Sequence, residues 1–342
     1  MRIYSFSHQN YKSDTIEKTF LGGLPMSKLL TIATTVKDWQ VAEIAALAEH
    51  YTVRLASELK DEDFPNVEIL YGWKNEFADQ FLTHGYDSLR WIQVQFAGVN
   101  HLPSEILSDD NIRITNMSGI HAIPIAETVF GYILNQYRHL HLYKTRQASN
   151  TWQAEADHRS LTNKKIIVFG AGNIGREIAR LAQAFGMTTI GVNTSGRSVE
   201  YFDTTLDTDT ALAESSDADI IVNVLPATSA TNHIFNQSFF ALQTAQPIFI
   251  NVGRGNAVVD EDLITALDNN FLSYAALDVF DDEPLTNNHP FWRHQKIDVT
   301  PHMTGQVEHF ADETYKIFHA NIVDYIATNN LPVNLVSKEK GY

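Results

Sequence analysis

Short apolar runs of strand length recur along the whole chain and alternate with segments of helical period. In the first third they cover residues 29–34, 53–56, 67–71, 91–95 and 112–115, and later residues 165–169, 188–193, 219–224, 247–252, 273–279 and 297–300. Nearly all are rich in β-branched residues and apolar at consecutive positions, which is typical of strands buried between two helical layers. The alternation predicts parallel βαβ units and an α/β fold.

Longer segments of helical period indicate how these units are connected. They cover residues 38–49, 126–141, 176–185 and 307–328, and no Pro-, Gly- or Ser-rich linker separates the two halves. We predict two doubly wound parallel-sheet domains. The helix at 126–141 would carry the chain out of the first domain and the helix at 307–328 would return it. The first domain would then be discontinuous, with residues 1–116 plus 306–342 flanking a second domain at 117–305.

A glycine-rich turn follows the strand predicted at residues 165–169. It reads Gly170, Ala171, Gly172, Asn173, Ile174, Gly175 and precedes the helix predicted at 176–185. In this G-x-G-x-x-G pattern the first glycine permits a tight turn, the second lets a pyrophosphate approach the backbone, and the third lets helix and strand pack closely. Free N–H groups at the helix start would face the phosphates. The glycines could serve the tight turn alone, but strand, turn and helix in this order predict a dinucleotide site.

The end of the next strand indicates which dinucleotide is preferred. Sites specific for NAD place Asp or Glu there, to accept from the ribose 2′-hydroxyl. Here Asn193 occupies that position, no acid appears before Glu200, and the intervening residues include Thr194, Ser195 and Arg197. An acid would repel a 2′-phosphate, whereas an amide, two hydroxyls and an arginine favour one. We predict that NADP(H) is preferred and that NAD(H) is possible, because Arg197 could also be a solvated loop residue.

Three polar residues follow successive late strands. Arg254 follows the strand at 247–252, Glu283 the strand at 273–279, and His302 the strand at 297–300. Open α/β sheets bind ligands at the carboxyl ends of their strands, so these side chains are candidates for one site. Taken singly, each could have a purely structural role: His302 as a cap, Glu283 as a turn residue before proline, and Arg254 as a partner in a surface ion pair. Three such residues at successive strand ends nevertheless predict a functional site.

Composition narrows the remaining function classes. The formal net charge is −16, from 25 Lys and Arg against 41 Asp and Glu, which counts against nucleic-acid and membrane-surface binding. The absence of cysteine excludes disulfides, thiolate metal sites and a cysteine nucleophile. Pairs such as His139 with His141 lack metal-ligand spacing with carboxylates, so no metal is predicted. With no signal-like start and no window of about 18 apolar residues, we predict a soluble cytoplasmic protein.

Jointly, these segments resemble the D-isomer-specific 2-hydroxyacid dehydrogenase family over most of the chain. The shared motifs are the G-A-G-N-I-G turn, the segment ending in Leu225 and Pro226, N-V-G-R-G around Arg254, L-D-V-F-x-x-E-P-L around Glu283, and T-P-H-x-x-G around His302. In the first domain, residues 95–100 resemble the family's carboxylate-binding loop and residues 122–127 the start of its interdomain helix. The first 27 or so residues match nothing recognisable.

The resemblance implies a fold and a set of roles. It implies a Rossmann NAD(P)-binding domain, a flavodoxin-like substrate domain and an active site in the cleft between them, in a homodimer built through the helix at 126–141. His302 would be the general acid or base, Glu283 would fix its tautomer, and Arg254 would clamp the carboxylate of a small 2-keto or 2-hydroxy acid. The substrate loop would consist of Phe96, Ala97, Gly98 and Val99. The cofactor would be bound by the glycine-rich turn at 170–175 and the loop at 193–197, together with Leu225, Pro226, Val252, Gly253 and Asp278.

The sequence is also compatible with other functions. Related formate dehydrogenases carry Gln where this chain has Glu283, which argues against that activity. A dinucleotide-sensing binding protein of the corepressor type keeps the same three residues, and a short-form phosphoglycerate dehydrogenase would need no regulatory domain. The side chain of the substrate is not readable, so glyoxylate, hydroxypyruvate, pyruvate and bulkier keto acids all fit. We favour an oxidoreductase working as an NADPH-dependent 2-keto acid reductase.

Overall fold

A computed structural model describes residues 28–99 and 101–338 of the chain. Predictions about the first 27 residues, including the absence of a signal-like start, lie outside this part. The described residues form two β-sheets in which every pair of neighbouring strands is parallel, as predicted. No helix in the described part is long and apolar enough to cross a membrane.

The first sheet has five strands in the order β2-β1-β3-β4-β5, which is the flavodoxin-like order. Its strands are β1 (Leu29–Ile32), β2 (Thr52–Leu55), β3 (Val67–Tyr71), β4 (Trp91–Gln93) and β5 (Arg113–Thr115). The helices α1 (Asp38–Leu47), α2 (Glu76–His84) and α3 (Ser104–Ser108) come from the same part of the chain. Separate apolar clusters cover the two faces of this sheet, so its inner strands are buried on both sides.

The second sheet has seven strands in the order β12-β11-β10-β9-β6-β7-β8, the Rossmann order extended by one strand. Its strands are β6 (Lys165–Phe169), β7 (Thr188–Val192), β8 (Thr204–Leu206), β9 (Ile220–Asn223), β10 (Ile248–Asn251), β11 (Tyr274–Leu277) and β12 (Ile297–Val299). The remaining helices are α4 (Ala122–Tyr137), α5 (Leu140–Ala148), α6 (Asn173–Ala184), α7 (Thr208–Glu214), α8 (Gln237–Ala241), α9 (Asp260–Asp268) and α10 (Phe310–Thr328). Two apolar clusters cover its faces, one containing α4 and α6 and the other α8 and α9.

All eleven predicted strands are present, but two elements differ from the sequence prediction. The helix predicted at 126–141 begins at Ala122 and ends at Tyr137; His139 then adopts a left-handed φ of 55°, and the separate helix α5 follows. No glycine or proline marks this break in the sequence. Strand β8 was missed because it is a three-residue edge strand that is partly exposed and contains two threonines.

The C-terminal helix α10 packs against the first sheet rather than the second. The Phe318 ring stacks on Tyr71 with centroids 3.9 Å apart, and it also stacks on Trp91 at 5.3 Å. Asn321 Nδ2 donates to Gln93 Oε1 at 3.1 Å. Because α10 packs on the first sheet, we propose that the first domain is discontinuous and consists of residues 1–116 plus 306–342, with the second domain at 117–305 between them. The exact boundaries stay a prediction.

Candidate active site

The glycine-rich turn between β6 and α6 leaves an opening at its second glycine. A Cβ at Gly170, where φ is 113°, would lie 2.7 Å from Val224 Cγ2, and one at Gly175 would lie 2.0 Å from the Gly170 oxygen. At Gly172 a Cβ would meet nothing within 4 Å. The amides of Asn173 and Ile174, at the start of α6, have no acceptor in the described part of the chain. Gly170 and Gly175 therefore serve close packing. Gly172 leaves room for a phosphate, which the N–H groups of Asn173 and Ile174 can bind.

The loop after β7 is shaped by the side chain of Asn193. Its Oδ1 accepts from the Ser195 amide at 3.0 Å, and its Nδ2 donates to the Arg197 carbonyl at 2.9 Å. The side chains of Thr194, Ser195 and Arg197 are exposed. Glu200, the first acid after the strand, is paired with Arg176. Asn193 thus holds the loop together, and its neighbours present the polar groups to solvent.

His302 and Glu283 form a direct side-chain pair. His302 Nδ1 lies 2.8 Å from Glu283 Oε2, and Glu283 Oε1 accepts from the Phe280 amide at 3.0 Å. The His302 side chain is 52% exposed and its Nε2 has no partner among the described residues. Because Glu283 occupies Nδ1, Nε2 is the ring nitrogen available to a ligand.

Arg254 lies on a loop that touches the loop of Glu283. A Cβ at the adjacent Gly255 would lie 1.9 Å from the carbonyl carbon of Phe280, so the two backbones are in close contact. The Arg254 side chain is exposed, and its Nη1 donates to the Gly253 carbonyl at 2.7 Å. Strands β10, β11 and β12 are parallel neighbours, so Arg254, Glu283 and His302 emerge at one edge of the second sheet.

Asp278 anchors the segment that carries His302. Its buried carboxylate accepts from Thr300 Oγ1 at 2.6 Å, from the Met303 amide at 2.9 Å, and from the Thr304 amide and hydroxyl at 3.0 and 2.6 Å. Tyr132 OH on α4 lies 2.6 Å from the same Thr300 hydroxyl, and burial raises the pKa of Tyr132 to about 12.

The family resemblance implies a cofactor contact for Asp278, and its anchoring function is not apparent from the sequence. The one available signal was the pair of threonines, Thr300 and Thr304, on either side of His302. Two hydroxyls two residues from a candidate catalytic histidine suggest that its segment is held by side-chain hydrogen bonds. Their acceptor lies on another strand, and the sequence alone does not reveal it. The cofactor contact of Asp278 stays a prediction.

The predicted substrate loop follows β4 in the first sheet. The Phe96 carbonyl accepts from the Met117 amide at 3.0 Å and the Ala97 carbonyl accepts from Asn116 Nδ2 at 2.7 Å. These bonds fix the carbonyls, while the amides of Ala97 and Gly98 have no acceptor in the described part of the chain. The Phe96 ring is exposed, and the Val99 side chain belongs to the core.

Two hydrogen bonds hold the segment that leads from β5 into α4 against the second sheet's loops. Asn173 Nδ2 donates to Ser118 Oγ at 3.1 Å, and His121 Nδ1 lies 2.8 Å from the Gly305 carbonyl. Among the described residues, no hydrogen bond or ring contact joins the Phe96 loop to His302 itself. The structure therefore brings Arg254, Glu283 and His302 together and places the predicted substrate loop on the other domain.

Other histidines contact single carboxylates. His139 Nε2 lies 3.2 Å from Asp157 Oδ1, and His289 Nε2 lies 3.2 Å from Asp260 Oδ2. Burial raises the pKa of Asp260, and the neighbouring His289 opposes this increase. The described ranges contain no group of three or more His, Asp or Glu that could hold a metal ion.

Comparison with known proteins agrees with this geometry. The family model described as "D-isomer specific 2-hydroxyacid dehydrogenase, NAD binding domain" matches residues 130–304, half of the chain. Glyoxylate/hydroxypyruvate reductase A of Yersinia enterocolitica is 29% identical over 65% of this chain and 69% of its own.

Two solved structures extend the likeness to both domains. A family member from Aeromonas salmonicida is 30% identical with a TM-score of 0.76, over 91% of this chain and 99% of its own. A phosphoglycerate dehydrogenase from Lactobacillus plantarum is 33% identical with a TM-score of 0.55, over 91% of this chain and all of its own.

These likenesses and the two-sheet fold define an oxidoreductase with a nicotinamide-binding domain. The chain belongs to the D-isomer specific 2-hydroxyacid dehydrogenases. This family acts on small hydroxy and keto acids with a nicotinamide cofactor, and that much applies to this protein.

Proposed function

We propose that this enzyme works as an NADPH-dependent reductase of small 2-keto acids. The observation that carries the proposal is the 2.8 Å pair of His302 and Glu283, with Nε2 of the histidine unpartnered among the described residues and Arg254 exposed on the adjoining loop. Such a site can deliver a proton to a carbonyl oxygen next to a bound carboxylate. The name of the Yersinia relative, a glyoxylate/hydroxypyruvate reductase, supports small keto acids as the substrate class.

The residues divide the work of reduction as follows. The bound nicotinamide supplies the hydride. Arg254 holds the substrate carboxylate and polarises the ketone, a task suited to a planar guanidinium with several donors. The amides of Ala97 and Gly98, which have no acceptor among the described residues, hold the other side of the carboxylate. His302 donates the Nε2 proton to the carbonyl oxygen, and Glu283 stabilises the imidazolium from which that proton comes.

Replacing Glu283 with glutamine tests the pairing with His302. The amide keeps the shape of the side chain but replaces a charge-assisted hydrogen bond to Nδ1 with a neutral one, which holds the ring less firmly. We expect kcat for keto-acid reduction to fall by about tenfold, the usual difference between a charged and a neutral hydrogen bond. The measurement is kcat at saturating NADPH and keto acid, with NADPH binding as the control. An unchanged kcat would show that Glu283 does not act through His302.

The exposed polar loop after β7 supports the preference for NADPH. Asn193→Asp keeps the acceptor for the Ser195 amide but places a negative charge beside a 2′-phosphate. We expect the ratio of kcat/KM with NADPH to that with NADH to fall by about 10- to 100-fold. A decrease of this size corresponds to the free energy of one hydrogen bond to a charged group, about 1.5–3 kcal/mol. Arg197→Gln, which removes only the cation, should lower the ratio in the same direction. An unchanged ratio in both variants would contradict the assignment of this loop.

A second candidate is oxidation of phosphoglycerate. The Lactobacillus plantarum structure, a phosphoglycerate dehydrogenase, is similar over 91% of this chain. Both activities use the same proton transfer, so the three residues at the sheet edge do not separate them. The difference is a phosphate on the substrate, which needs cationic partners beyond Arg254.

One assay distinguishes the two candidates. NADPH and NADH oxidation at 340 nm would be followed with glyoxylate, hydroxypyruvate, pyruvate, 2-ketoisocaproate, phenylpyruvate and 3-phosphohydroxypyruvate. We expect turnover with an unphosphorylated acid and higher efficiency with NADPH. Turnover confined to 3-phosphohydroxypyruvate would establish the second candidate. Cofactor binding without turnover on any acid would overturn the proposal.

We also propose a homodimer, as the family resemblance implies, with α4 in the nucleotide-binding domain contributing to the interface. A solution mass equal to one chain would contradict it.

A further inference from the structure

Two buried asparagines end adjacent strands at the edge where the site forms. Asn223 is the last residue of β9 and Asn251 is the last residue of β10, and the two are partners in the strand register. Their exposed fractions are 0% and 1%. The mechanism above uses neither residue. A buried amide is costly unless its donors and acceptors are satisfied, so the partners of these two side chains indicate what they do.

The two side chains bond to each other and to the loops that follow them. Asn223 Nδ2 donates to Asn251 Oδ1 at 2.9 Å, and Asn223 Oδ1 accepts from the Leu225 amide at 3.1 Å. Asn251 Oδ1 also accepts from the Gly253 amide at 3.2 Å, and Asn251 Nδ2 donates to the Arg254 carbonyl at 3.1 Å. Each asparagine therefore holds its own loop, and the central bond links the two.

The backbones of these loops are also in close contact. A Cβ at Gly253 would lie 2.8 Å from the Leu225 oxygen and 2.9 Å from its nitrogen. The Arg254 guanidinium bonds to the Gly253 carbonyl, so its position depends on that backbone. A displacement of the Leu225 loop would consequently reach Arg254, because both the side-chain bond and the glycine contact transmit it.

We propose that Asn223 and Asn251 are positioning residues that couple cofactor binding at the Leu225 loop to the placement of the Arg254 guanidinium. The coupling rests on the proposed function, in which Leu225 lies at the cofactor and Arg254 at the substrate carboxylate. Only a primary amide fits each position, because each side chain donates one hydrogen bond and accepts at least one. An aspartate of the same shape would place two acceptors opposite each other in a buried setting.

The test uses Asn223→Ala, Asn251→Ala and the double variant, with Asn330→Ala at an exposed position as control. Alanine at either position removes the central bond, because Asn223 supplies its donor and Asn251 its acceptor. Dissociation constants for NADPH and NADH are measured by fluorescence on each protein, and we expect each single variant to weaken binding of the preferred cofactor by about tenfold. We expect the double variant to weaken it by less than the product of the two factors, because both changes break the same link. Multiplying factors, or normal binding by Asn251→Ala, would overturn the coupling.

A kinetic measurement separates positioning from simple loss of stability. In Asn251→Ala we expect KM for glyoxylate to rise by about tenfold with a smaller decrease in kcat. A purely structural role would lower the melting temperature and the active fraction, leaving KM unchanged, and would overturn the proposal. Should a variant fail to fold, Asn→Ser at the same position replaces it. If the wild type binds NADPH but reduces no keto acid, the proposed function fails, and the binding cycle still decides the coupling.

Discussion

Replacing His302 with asparagine is expected to lower kcat for keto-acid reduction by about 10²- to 10⁴-fold, the usual contribution of a positioned general acid. Asparagine is chosen because His302 has a φ of 50°, a left-handed conformation that asparagine tolerates well. The variant can still bond to Glu283, but it has no titratable proton to deliver. Cofactor binding should stay unchanged, because the glycine-rich turn that would bind the cofactor lies between β6 and α6, on a different loop from His302. The measurement is steady-state turnover together with NADPH binding.

His309→Asn provides a matched control. His309 also has a left-handed φ, 55°, and it also lies beside a glutamate, with 3.4 Å between its Nε2 and Glu308 Oε1. This exchange removes an exposed histidine without touching the site, so turnover should remain near wild type. A decrease of less than tenfold in His302→Asn would mean that another group supplies the proton.

Replacing Arg254 with alanine is expected to lower kcat/KM by about 10²- to 10⁴-fold. The estimate corresponds to the loss of two hydrogen bonds to a charged group, each worth about 1.5–3 kcal/mol. KM should rise because the carboxylate loses its clamp, and kcat should fall because the ketone is no longer polarised. The exchange also removes the bond from the guanidinium to the carbonyl of Gly253, a buried residue, so NADPH binding is measured alongside to separate that local effect from loss of the clamp.

Arg254→Lys distinguishes the shape of the guanidinium from its charge. Lysine keeps the cation but lacks the planar fork, so we expect an intermediate loss. Guanidinium added to the alanine variant should restore part of the activity. Wild-type kinetics in Arg254→Ala would place the carboxylate clamp on another residue.

The strands, and the position of Arg254, Glu283 and His302 at one sheet edge, were predictable because their signals are local. Buried parallel strands carry continuous apolar runs, and strands such as β6 and β10 differ from the predicted ranges by no more than a residue at each end. The order of the polar residues after β10, β11 and β12 then placed them at one sheet edge. The break between α4 and α5 was not predictable, because it depends on the left-handed conformation of His139, and a histidine is a far less specific signal for a helix end than a glycine.

The roles of several polar residues could not be predicted because they depend on distant partners. Asp278 reads as a site residue, but its acceptor atoms are occupied by residues more than twenty positions further along the chain. Asn223 and Asn251 read as ordinary strand ends until the sheet places them side by side. In each case the sequence supplies the residue type, and the tertiary fold decides what it bonds.

We propose that this site transfers a hydride to the 2-carbon of a keto acid and a proton to its oxygen, giving the D-hydroxy acid. Reduction of hydroxypyruvate with NADPH deuterated at both C4 positions tests this directly, with the product analysed by mass spectrometry and chiral chromatography. We expect D-glycerate carrying one deuterium at C2 for each NADPH oxidised. Unlabelled product, or L-glycerate, would contradict the proposed transfer.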